Sequence, residues 1–446
     1  MSVETAEKPL EAFIPFRRSE LIELCLADKQ LDETAAAQFK DFCQILAAFY
    51  HFRAHAQLER LKDHYAEFNP DAENSPLHPL SAQQLQQSAE TIASDFASLL
   101  EKANYQTLSQ QQLEQAFQVA SLIPLQTKVD FEDFDQVLFY FRGEGQKDVC
   151  IRRFFKKKIL TLDNFERVVV LLKFRELSHF ESKQKQLDVL GFVPGKIYLY
   201  LYKNIPRNDL ELLFPNVQVS MNWKDRLLLL VPALGAAIPL ILKVLPSLGL
   251  LVAAVLLVTM GPEFAEKFGF KSDGSTSIYP LLVAVLSIGA ALGGFAARQY
   301  GKYKSKRLMF LKKVTDTLFF KNLVTNEGVL YSLTDAAEEE LCKEVILVYY
   351  HLLTASGPLD RLQLDQKIES WMLNNFAARI DFDIEKTLQN LLEVQADLPT
   401  AKGLQQRSLL SRSSDDSLQV LSLEEAKVLI DHIWDHAFHY ANDTLS

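Results

Sequence analysis

Residues 227–260 read LLLLVPALGAAIPLILKVLPSLGLLVAAVLLVTM and contain one charged residue, Lys243. Residues 278–297 read IYPLLVAVLSIGAALGGFAA and contain no charged residue. A helix needs about 20 apolar residues to cross the hydrocarbon core of a bilayer, and soluble cores rarely lack charge over such lengths. The sequence therefore predicts two transmembrane helices, at about residues 244–260 and 278–297.

The first apolar run is too long for one span and too short for two. Pro232 and Pro239 interrupt its first half, so residues 227–242 are expected to lie at the membrane interface or to be partly embedded. Whether this segment crosses the membrane is left open by the sequence. A buried hairpin in a soluble protein is the alternative interpretation of the whole stretch.

Basic residues on either side of the apolar stretch predict its orientation. Lys224 and Arg226 precede the first run, a series of lysines and arginines follows the last run from Arg298, and the connecting loop (261–277) holds fewer basic than acidic residues. Because basic residues near span ends stay on the cytoplasmic side, we expect an integral protein of a bacterial inner membrane with both termini cytoplasmic. An organellar inner membrane is the alternative. The first 25 residues contain no apolar run, which argues against a cleaved signal peptide.

Hydrophobic periodicity and turn residues divide the rest of the chain. Apolar residues recur at three- and four-residue steps before Pro124, for example at Phe42 and Leu46, which predicts helices. After Pro124, runs such as VLFYFRGE and RVVVLLKF predict strands. The predicted fold class is an α+β membrane protein with two transmembrane helices between a helical and α+β N-terminal region and a mainly helical, winged-helix-like C-terminal domain. The predicted domains are a helical N-terminal region (1–124), a small α+β domain (125–215), the membrane region (227–297), a basic helix leaving the membrane (298–330) and an acidic winged-helix-like domain (335–446).

The C-terminal part of the chain is acidic. From Asp335 to the end it contains 20 Asp and Glu against 9 Lys and Arg, a net charge of −11, whereas the whole chain carries −10. Such a charge argues against nucleic-acid binding. Asn326–Gly328 is expected to end the basic helix. The winged-helix-like domain is predicted to contain helices at Asp335–Leu353, Leu359–Phe376 and Ile384–Val394, a two-stranded wing at 407–421 and a closing helix at Ser422–Tyr440.

Three histidines lie on one side of the predicted closing helix, namely His432, His436 and His439. An i,i+4 pair of histidines can bind a metal such as zinc. No Cys or Glu motif accompanies these residues at a recognisable spacing, and they border the apolar stripe of the helix. Partly buried structural histidines are therefore the favoured interpretation, with the three residues as alternative metal ligands. No cofactor is predicted.

Small residues are regularly spaced in the second predicted span. Gly289 and Gly293 form a G-x-x-x-G pattern beside Gly294, which lets helices approach closely in lipid. Packing of the two spans against each other is the favoured use, and contact in a homo-oligomer is the alternative. The basic residues that follow are expected to face lipid headgroups: Lys302, Lys304, Lys306 and Arg307.

No catalytic signature is present in the sequence. The patterns Gly-x-Ser-x-Gly, His-Glu-x-x-His and Cys-x-x-Cys are absent, and the four cysteines are scattered, which is typical of a reducing compartment. RGEG at Arg142–Gly145 lacks the Lys-Ser/Thr end of a phosphate loop and is interpreted as a turn.

Several segments together resemble a known family. They are FIPFRRSELIELCL (13–26), FEDFDQVLFYFRGEG (131–145), KIYLYLYKNIPRNDLELLFPN (196–216), and KNLVTNEGVL (321–330) with AEEELCKEVILVYYHLL (337–353). Their order around the apolar stretch resembles that of the transmembrane protein 143-like family, a domain-of-unknown-function family with bacterial, plastid and mitochondrial members. The resemblance implies a membrane protein with soluble regions on both sides of the spans, and it supplies no catalytic residues.

The sequence favours a membrane-anchored scaffold or accessory protein that binds partner proteins at the membrane surface and contacts membrane lipids. Soluble modules flank a compact anchor, and no catalytic set accompanies them. An oligomeric transporter or channel component is the first alternative, because Lys243 lies inside the apolar stretch. An enzyme that modifies a membrane lipid or cofactor is the second, and the basic run Arg152–Lys158 is its only support.

Overall fold

The computed structural model is an α+β protein of helices and antiparallel sheets. It describes residues 13–72, 80–109, 111–113, 125–153, 156–183, 190–221, 321–400, 403–413 and 416–437, together with scattered helical positions between 286 and 320. The helices are α1 (Arg18–Ala27), α2 (Glu33–Tyr65), α3 (Ala82–Lys102), α4 (Leu177–Ser182), α5 (Glu327–Leu353), α6 (Arg361–Phe376), α7 (Ile384–Leu392) and α8 (Leu423–Asp435).

The strands form one five-stranded sheet and three two-stranded sheets within the described ranges. They are β1 (Gln106–Thr107), β2 (Leu125–Lys128), β3 (Phe134–Arg153), β4 (Lys156–Phe174), β5 (Ile197–Pro206), β6 (Gln218–Met221), β7 (Asn322–Thr325), β8 (Gln395–Thr400), β9 (Gly403–Ser408), β10 (Leu410–Arg412) and β11 (Leu418–Val420). Short 3₁₀ helices lie at Phe131–Asp133 and Arg207–Leu213.

Side-chain caps place the starts of several helices. Ser81 and Ser422 each form a capping box, with Gln84 and Glu425 respectively. Such residues satisfy backbone N–H groups that have no partner inside the helix. The helix start predicted at Ser422 is therefore confirmed.

Asn326 begins a helix rather than ending one, so the prediction for Asn326–Gly328 is wrong. Its backbone has a φ of 51°, and its N–H donates to the Leu199 carbonyl at 2.7 Å. Its side-chain oxygen accepts a bond from the Leu199 N–H at 3.2 Å, and its side-chain nitrogen donates to Asp71 at 2.5 Å. The residue thus ties the start of α5 to β5, and the preceding four residues form β7 instead of the end of a helix.

The five-stranded sheet has the order β1-β3-β4-β5-β7 and is antiparallel throughout. β4 is buried on both faces over 168–172, which explains its continuous apolar run. Val169 and Leu171 pack with α2, α3 and the start of α5 in a central core. Val168 and Val170 pack into an aromatic core on the other face, with Phe134, Phe139, Phe141, Phe165, Phe174, Phe180, Phe192 and Phe214.

α2 and α5 are long antiparallel partners that connect the cores. Near one end, Phe42 stacks on Tyr349 with ring centroids 4.1 Å apart. Near the other end, the Tyr65 hydroxyl lies 3.4 Å from the side-chain oxygen of Asn326. The first half of α2 and the second half of α5 form a helical core with α1, α6, α7 and α8. N-terminal and C-terminal helices therefore share one core.

The C-terminal helices lie close to their predicted positions. α6 and α7 confirm the second and third predicted helices, and α8 confirms the closing helix as far as Asp435. Two hairpins, β8–β9 and β10–β11, stand where one two-stranded wing was expected. The first predicted helix begins earlier than expected, at Glu327 instead of Asp335.

No helix in the described ranges is both long enough and apolar enough to cross a membrane. On this finding, the predicted membrane protein with two transmembrane helices is wrong, and so is the predicted integral location in a bacterial or organellar inner membrane. α2 has the length, with 33 residues, but charged residues recur along it from Glu33 to Lys62. The longest apolar run of α5 begins only after Lys343 and Glu344, and the helix ends at Leu353.

The sequence segments that suggested the spans lie almost entirely outside the described structure. Residues 227–242 and 244–260 lie outside it entirely. Within 278–297 only a few helical positions are described, among them Leu286, which is 63 % exposed. The described fold is thus an α+β assembly of amphipathic helices on antiparallel sheets.

Truncation of a core leucine should measure how strongly the α2–α5 pair supports the fold. Leu46 is fully buried in the helical core, so Leu46→Ala should lower the free energy of unfolding by about 2–5 kcal/mol. Leu362 on α6 is 62 % exposed, and Leu362→Ala should change it by about 0.5 kcal/mol or less. Chemical denaturation measures both, and equal losses would contradict this packing.

Candidate functional site

A buried ion pair on α5 holds the N-terminal segment. Glu340 and Lys343 are each 3 % exposed, and the Lys343 Nζ lies 2.7 Å from Glu340 Oε1. The same Nζ donates to the Ile14 carbonyl at 2.7 Å, and the Ile14 N–H donates to Glu340 Oε2 at 3.2 Å. Both charges are thus paired and hydrogen-bonded, as buried charges must be.

Arg142 brings the sheet to this ion pair. Its guanidinium lies 3.8 Å from Glu340 Oε1, donates to the Ala103 carbonyl at 3.1 Å, and lies over the rings of Phe13 and Tyr105 at 4.9 and 5.0 Å. A planar guanidinium can stack and donate at the same time. The N-terminal segment, the end of α3 and β3 therefore meet α5 at one polar cluster, which we call the α5 node.

The RGEG motif lies inside β3, so its interpretation as a turn is wrong. Gly143 has a φ of +73°, and a Cβ there would lie 2.8–2.9 Å from side-chain atoms of Glu166. Glycine is the residue that adopts this conformation without strain. β3 therefore stays paired with β4 on both sides of Gly143, while Arg142 reaches the α5 node.

Glu344 extends the α5 node by one helical position. Glu344 is 2 % exposed. Its carboxylate accepts a hydrogen bond from Asn104 Nδ2 at 2.7 Å and lies 3.9 Å from Lys386 Nζ. The other carboxylate oxygen has no hydrogen-bond partner in the described residues. Burial raises the pKa of Glu344 to about 7, while Lys386 and Asn104 act in the opposite direction. This carboxyl group therefore changes its charge near neutral pH.

A cleft lies beside the α5 node, between three helices and α7. It has a volume of about 470 Å³, within the range of small-molecule sites. Each of the three helices lines it with residues spaced i, i+3, i+4, i+7, which share one helical face. The residues of these stripes on α2, α3 and α5 in turn are Tyr50, Arg53, Ala54 and Gln57; Asp95, Ser98, Leu99 and Lys102; and Thr334, Ala337, Glu338 and Leu341, and α2 also contributes Phe52, Ala56 and Arg60.

The carboxylates of this inter-helix cleft already have basic partners. Glu393 lies 3.4 Å from Arg53, and Asp95 lies 3.6 Å from Arg60. Lys102 instead donates to the neutral amide oxygen of Gln57 at 3.3 Å. Burial, with neighbouring Arg53, lowers the pKa of Lys102.

Glu338, on the α5 wall, is also paired. Its carboxylate lies 3.6 Å from Arg18 and 2.8 Å from His51. Three basic residues, Arg53, Arg60 and Lys102, line the cleft. Both arginines have a carboxylate partner, and Lys102 has none among the described ion pairs.

A second concave surface, which we call the C-terminal groove, lies between α8 and the β8–β9 hairpin. It has a volume of about 380 Å³, and its lining comprises Leu398, Pro399, Arg407, Leu421, Glu424, Glu425, Val428 and His432. Val428 is 60 % exposed. Leu404, the cross-strand partner of Pro399, is 76 % exposed. Exposed apolar residues beside a groove are typical of interaction surfaces.

Two of the three histidines predicted from the sequence, His432 and His436, lie at the C-terminal end of α8. The rings of His432 and His436 are 4.1 Å apart, and His436 Nδ1 lies 2.8 Å from the His432 carbonyl. His432 also lines the groove. No group of three or more His, Cys, Asp or Glu in the described part of the chain is placed to hold a metal. His439 lies outside that part, so the metal alternative stays a prediction.

The other predicted site residues fall between 286 and 320, where the structure describes only scattered helical positions. Gly293 and Gly294 are exposed there, and a Cβ on either would meet no described atom within 4 Å. Lys302 and Lys304 are exposed on the same segment. The remaining predicted residues, Gly289, Lys306 and Arg307, lie outside the described positions, and the helix-packing and lipid-facing roles stay predictions.

Sequence reasoning missed the α5 node. The signal was present in AEEELCKEVILVYYHLL, where charged residues stand at Glu340, Lys343 and Glu344 in front of an apolar run. Spacings of three and four place these side chains on nearby positions of a helix. Their burial could not be read from this pattern, because their partners lie far away in the chain.

Replacement of Glu344 by glutamine should alter the dependence of stability on pH. The folded-state pKa of Glu344 is raised from 4.5 to about 7, so its stabilising contribution is fully present below pH 4.5 and is lost as pH rises toward 7. Wild-type stability should therefore fall over this window by up to about 1.4 kcal/mol per pH unit for this group. Glu344→Gln has no proton to lose and should show a shallower fall in urea denaturation.

Two features isolate the effect of Glu344. Burial also raises the pKa of Glu211 to about 7 and of Asp365 to about 6, but both titrate equally in the two proteins. Glu90 is exposed on α3. Glu90→Gln is therefore the matched control and should keep the wild-type dependence of stability on pH. Parallel slopes for wild type and Glu344→Gln would refute the shifted pKa.

Replacement of Arg142 by lysine should loosen the N-terminal segment. Lysine keeps the charge but loses the planar contacts with Phe13 and Tyr105, so stability should fall by about 1–3 kcal/mol. Hydrogen exchange at the Ile14 amide should accelerate more than exchange in α6. The control is Arg167→Lys on the paired strand, since Arg167 donates only to its neighbour's carbonyl in the described contacts. Unchanged exchange at Ile14 would show that Arg142 does not hold the segment.

One family comparison reaches part of the chain. Residues 165–328 match the family model described as "Protein of unknown function (DUF3754)", which runs from β4 through β5 and β7 to the start of α5. No solved structure matches the chain. The comparison thus shows an uncharacterised domain family over this stretch, which includes Asn326 and the strands on both sides of the apolar stretch.

Proposed function

We propose that the protein is a scaffold or accessory protein that binds a segment of a partner protein in the C-terminal groove. The observation that carries this proposal is the apolar floor of the groove, formed by Leu398, Leu421 and Val428 between a helix and a hairpin. A groove of this kind accepts the apolar side chains of a peptide segment. Leu404 enlarges the apolar surface at the hairpin.

The negative charge around the groove favours a basic partner segment. Glu424 and Glu425 are exposed at the edge of the groove, and the part of the chain from Asp335 carries a net charge of −11. Arg407 is the single basic residue lining the groove apart from His432. The proposed partner segment therefore combines apolar side chains with lysine or arginine, and complementary charge speeds and orients its association.

The finer family assignment is also part of this proposal. We propose that the uncharacterised family corresponds to the transmembrane protein 143-like proteins, because the matched residues 165–328 contain the motifs at 196–216 and most of 321–330. Contact with membrane lipids is not included, because it depended on the two spans. The transporter alternative depended on the same region through Lys243, whereas the lipid-enzyme alternative depended on the basic run Arg152–Lys158.

A positive charge placed in the groove should weaken partner binding without unfolding the protein. Val428 is exposed, so Val428→Lys should leave stability within about 0.5 kcal/mol but weaken binding of a short amphipathic Leu/Lys peptide at least about tenfold, because it removes an apolar contact and repels the lysines. Fluorescence polarisation with the full chain measures the binding. The matched control is Leu362→Lys, at an equally exposed position on α6.

Comparison of two peptides tests the proposed charge preference. The Leu/Lys peptide should bind more tightly than a Leu/Glu peptide of the same length, and added salt should reduce the difference. Equal binding of both peptides, or binding that survives Val428→Lys, would count against the groove as the docking site.

A further inference from the structure

Two buried hydroxyl groups belong to residues that line the inter-helix cleft. Tyr50 is 3 % exposed and Thr334 is 6 % exposed, and neither hydroxyl has a hydrogen-bond partner within the described residues. Buried polar groups are nearly always hydrogen-bonded, and those that are not need an explanation. Both residues lie on the cleft-facing stripes of their helices, Tyr50 on α2 and Thr334 on α5.

A positively charged side chain lies on the α3 wall of the same cleft. Lys102, at the last position of α3, is the lining lysine or arginine whose described partner is a neutral amide, that of Gln57. The lining carboxylates are matched by Arg53, Arg60 and the Arg18–His51 pair. Lys102 is thus a positive group without an ion-pair partner in the described contacts, and hydroxyls can donate to a negative atom. Asp95 Oδ2 lies 3.6 Å from the Arg60 guanidinium but has no hydrogen-bond partner in the described residues, so a cationic ligand is the direct rival of an anionic one.

Apolar residues separate these polar groups. Leu99, Ala337 and Leu341 lie on the cleft-facing stripes of α3 and α5, beside Lys102 and Thr334. An apolar wall with a few polar groups is the usual composition of a small-molecule site. The volume of about 470 Å³ accommodates a compact molecule and is small for a folded peptide segment.

We propose that the inter-helix cleft binds a small organic anion, whose acidic head group contacts Lys102 and the hydroxyls of Tyr50 and Thr334, and whose apolar body lies against Leu99 and Leu341. The site is separate from the C-terminal groove and goes beyond partner binding. Because the walls come from α2 and α3 on one side and α5 and α7 on the other, such a ligand would join the N-terminal helices to the C-terminal ones.

Matched probes test the charge preference on the full chain. Octanoate and octyl phosphate carry the same apolar body with a carboxylate or a phosphate head, and octylamine and 1-octanol carry the same body with a cationic or a neutral head. At least one of the two anions should raise the melting temperature and bind in calorimetry, because a ligand that binds the folded state stabilises it. Octylamine or 1-octanol binding as tightly as the better anion, or failure of both anions to bind, would overturn the proposal.

Side-chain variants assign the head-group contacts. Lys102→Met should weaken binding of the better anion at least about tenfold, whereas Lys102→Arg should retain most of it. The control is Lys40→Met on the same protein, because Lys40 is half-exposed and pairs with Glu23 at 2.9 Å, away from the cleft lining. Equal affinity of Lys102→Met and wild type would overturn the assignment.

The hydroxyl variants separate binding from folding. Tyr50→Phe and Thr334→Val remove an unpaired hydroxyl at nearly constant volume, so the melting temperature without ligand should stay unchanged or rise. Binding of the anion should nevertheless weaken about threefold to tenfold in each. Unchanged affinity in both variants would show that the hydroxyls do not contact the ligand.

Photolabelling locates the ligand in the wild-type protein, so the result does not depend on whether any variant folds. A diazirine derivative of octanoate should label peptides from α2, α3 and α5 at the cleft, and unmodified octanoate should suppress this labelling. Labelling confined to the C-terminal groove, around Leu398 and Val428, would overturn the placement of the site.

Discussion

The fold depends on the burial of charged residues inside α5. This helix is buried on all sides from Cys342 to Leu352, and Glu340, Lys343 and Glu344 are buried with its first part. Such charges are tolerated only where partners replace water. The partners come from four separate parts of the chain: Ile14 of the N-terminal segment, Asn104 after α3, Arg142 of β3 and Lys386 of α7. The hydrogen bonds and ion pairs of the buried charges on α5 therefore fix these elements relative to one another.

The inter-helix cleft follows from this arrangement. Glu338 and Leu341 line it from the turn of α5 that carries Glu340. Lys386 donates to the Glu101 carbonyl at 3.1 Å, which fixes the distance between α7 and the end of α3. Removal of one partner from a buried charge pair costs about 3–5 kcal/mol, so the walls of the cleft are strongly defined. A rigid cavity with unpaired hydroxyls is suited to a ligand of fixed shape.

Local patterns in the sequence predicted most of the elements but not their assembly. α2, α3, α6 and α7 follow from apolar spacing and caps, and β3 to β5 follow from apolar strand runs. The contact between Ile14 and Lys343 joins residues separated by 329 positions, so no local pattern could reveal it. RGEG was misread because its positive φ is accommodated inside a paired strand. Composition predicted membrane spans at about 244–260 and 278–297, and no described helix has the required length and apolarity.

α2 and α8 provide a physical connection between the cleft and the C-terminal groove. Phe52, on the cleft side of α2, packs edge-on against Trp434 of α8 with ring centroids 5.5 Å apart. α8 also supplies Val428 to the groove. Packed side chains therefore join a lining residue of the cleft to the helix that forms one wall of the groove. If the proposed cleft ligand and the proposed groove partner are coupled through this contact, each must change the affinity of the other by the same factor.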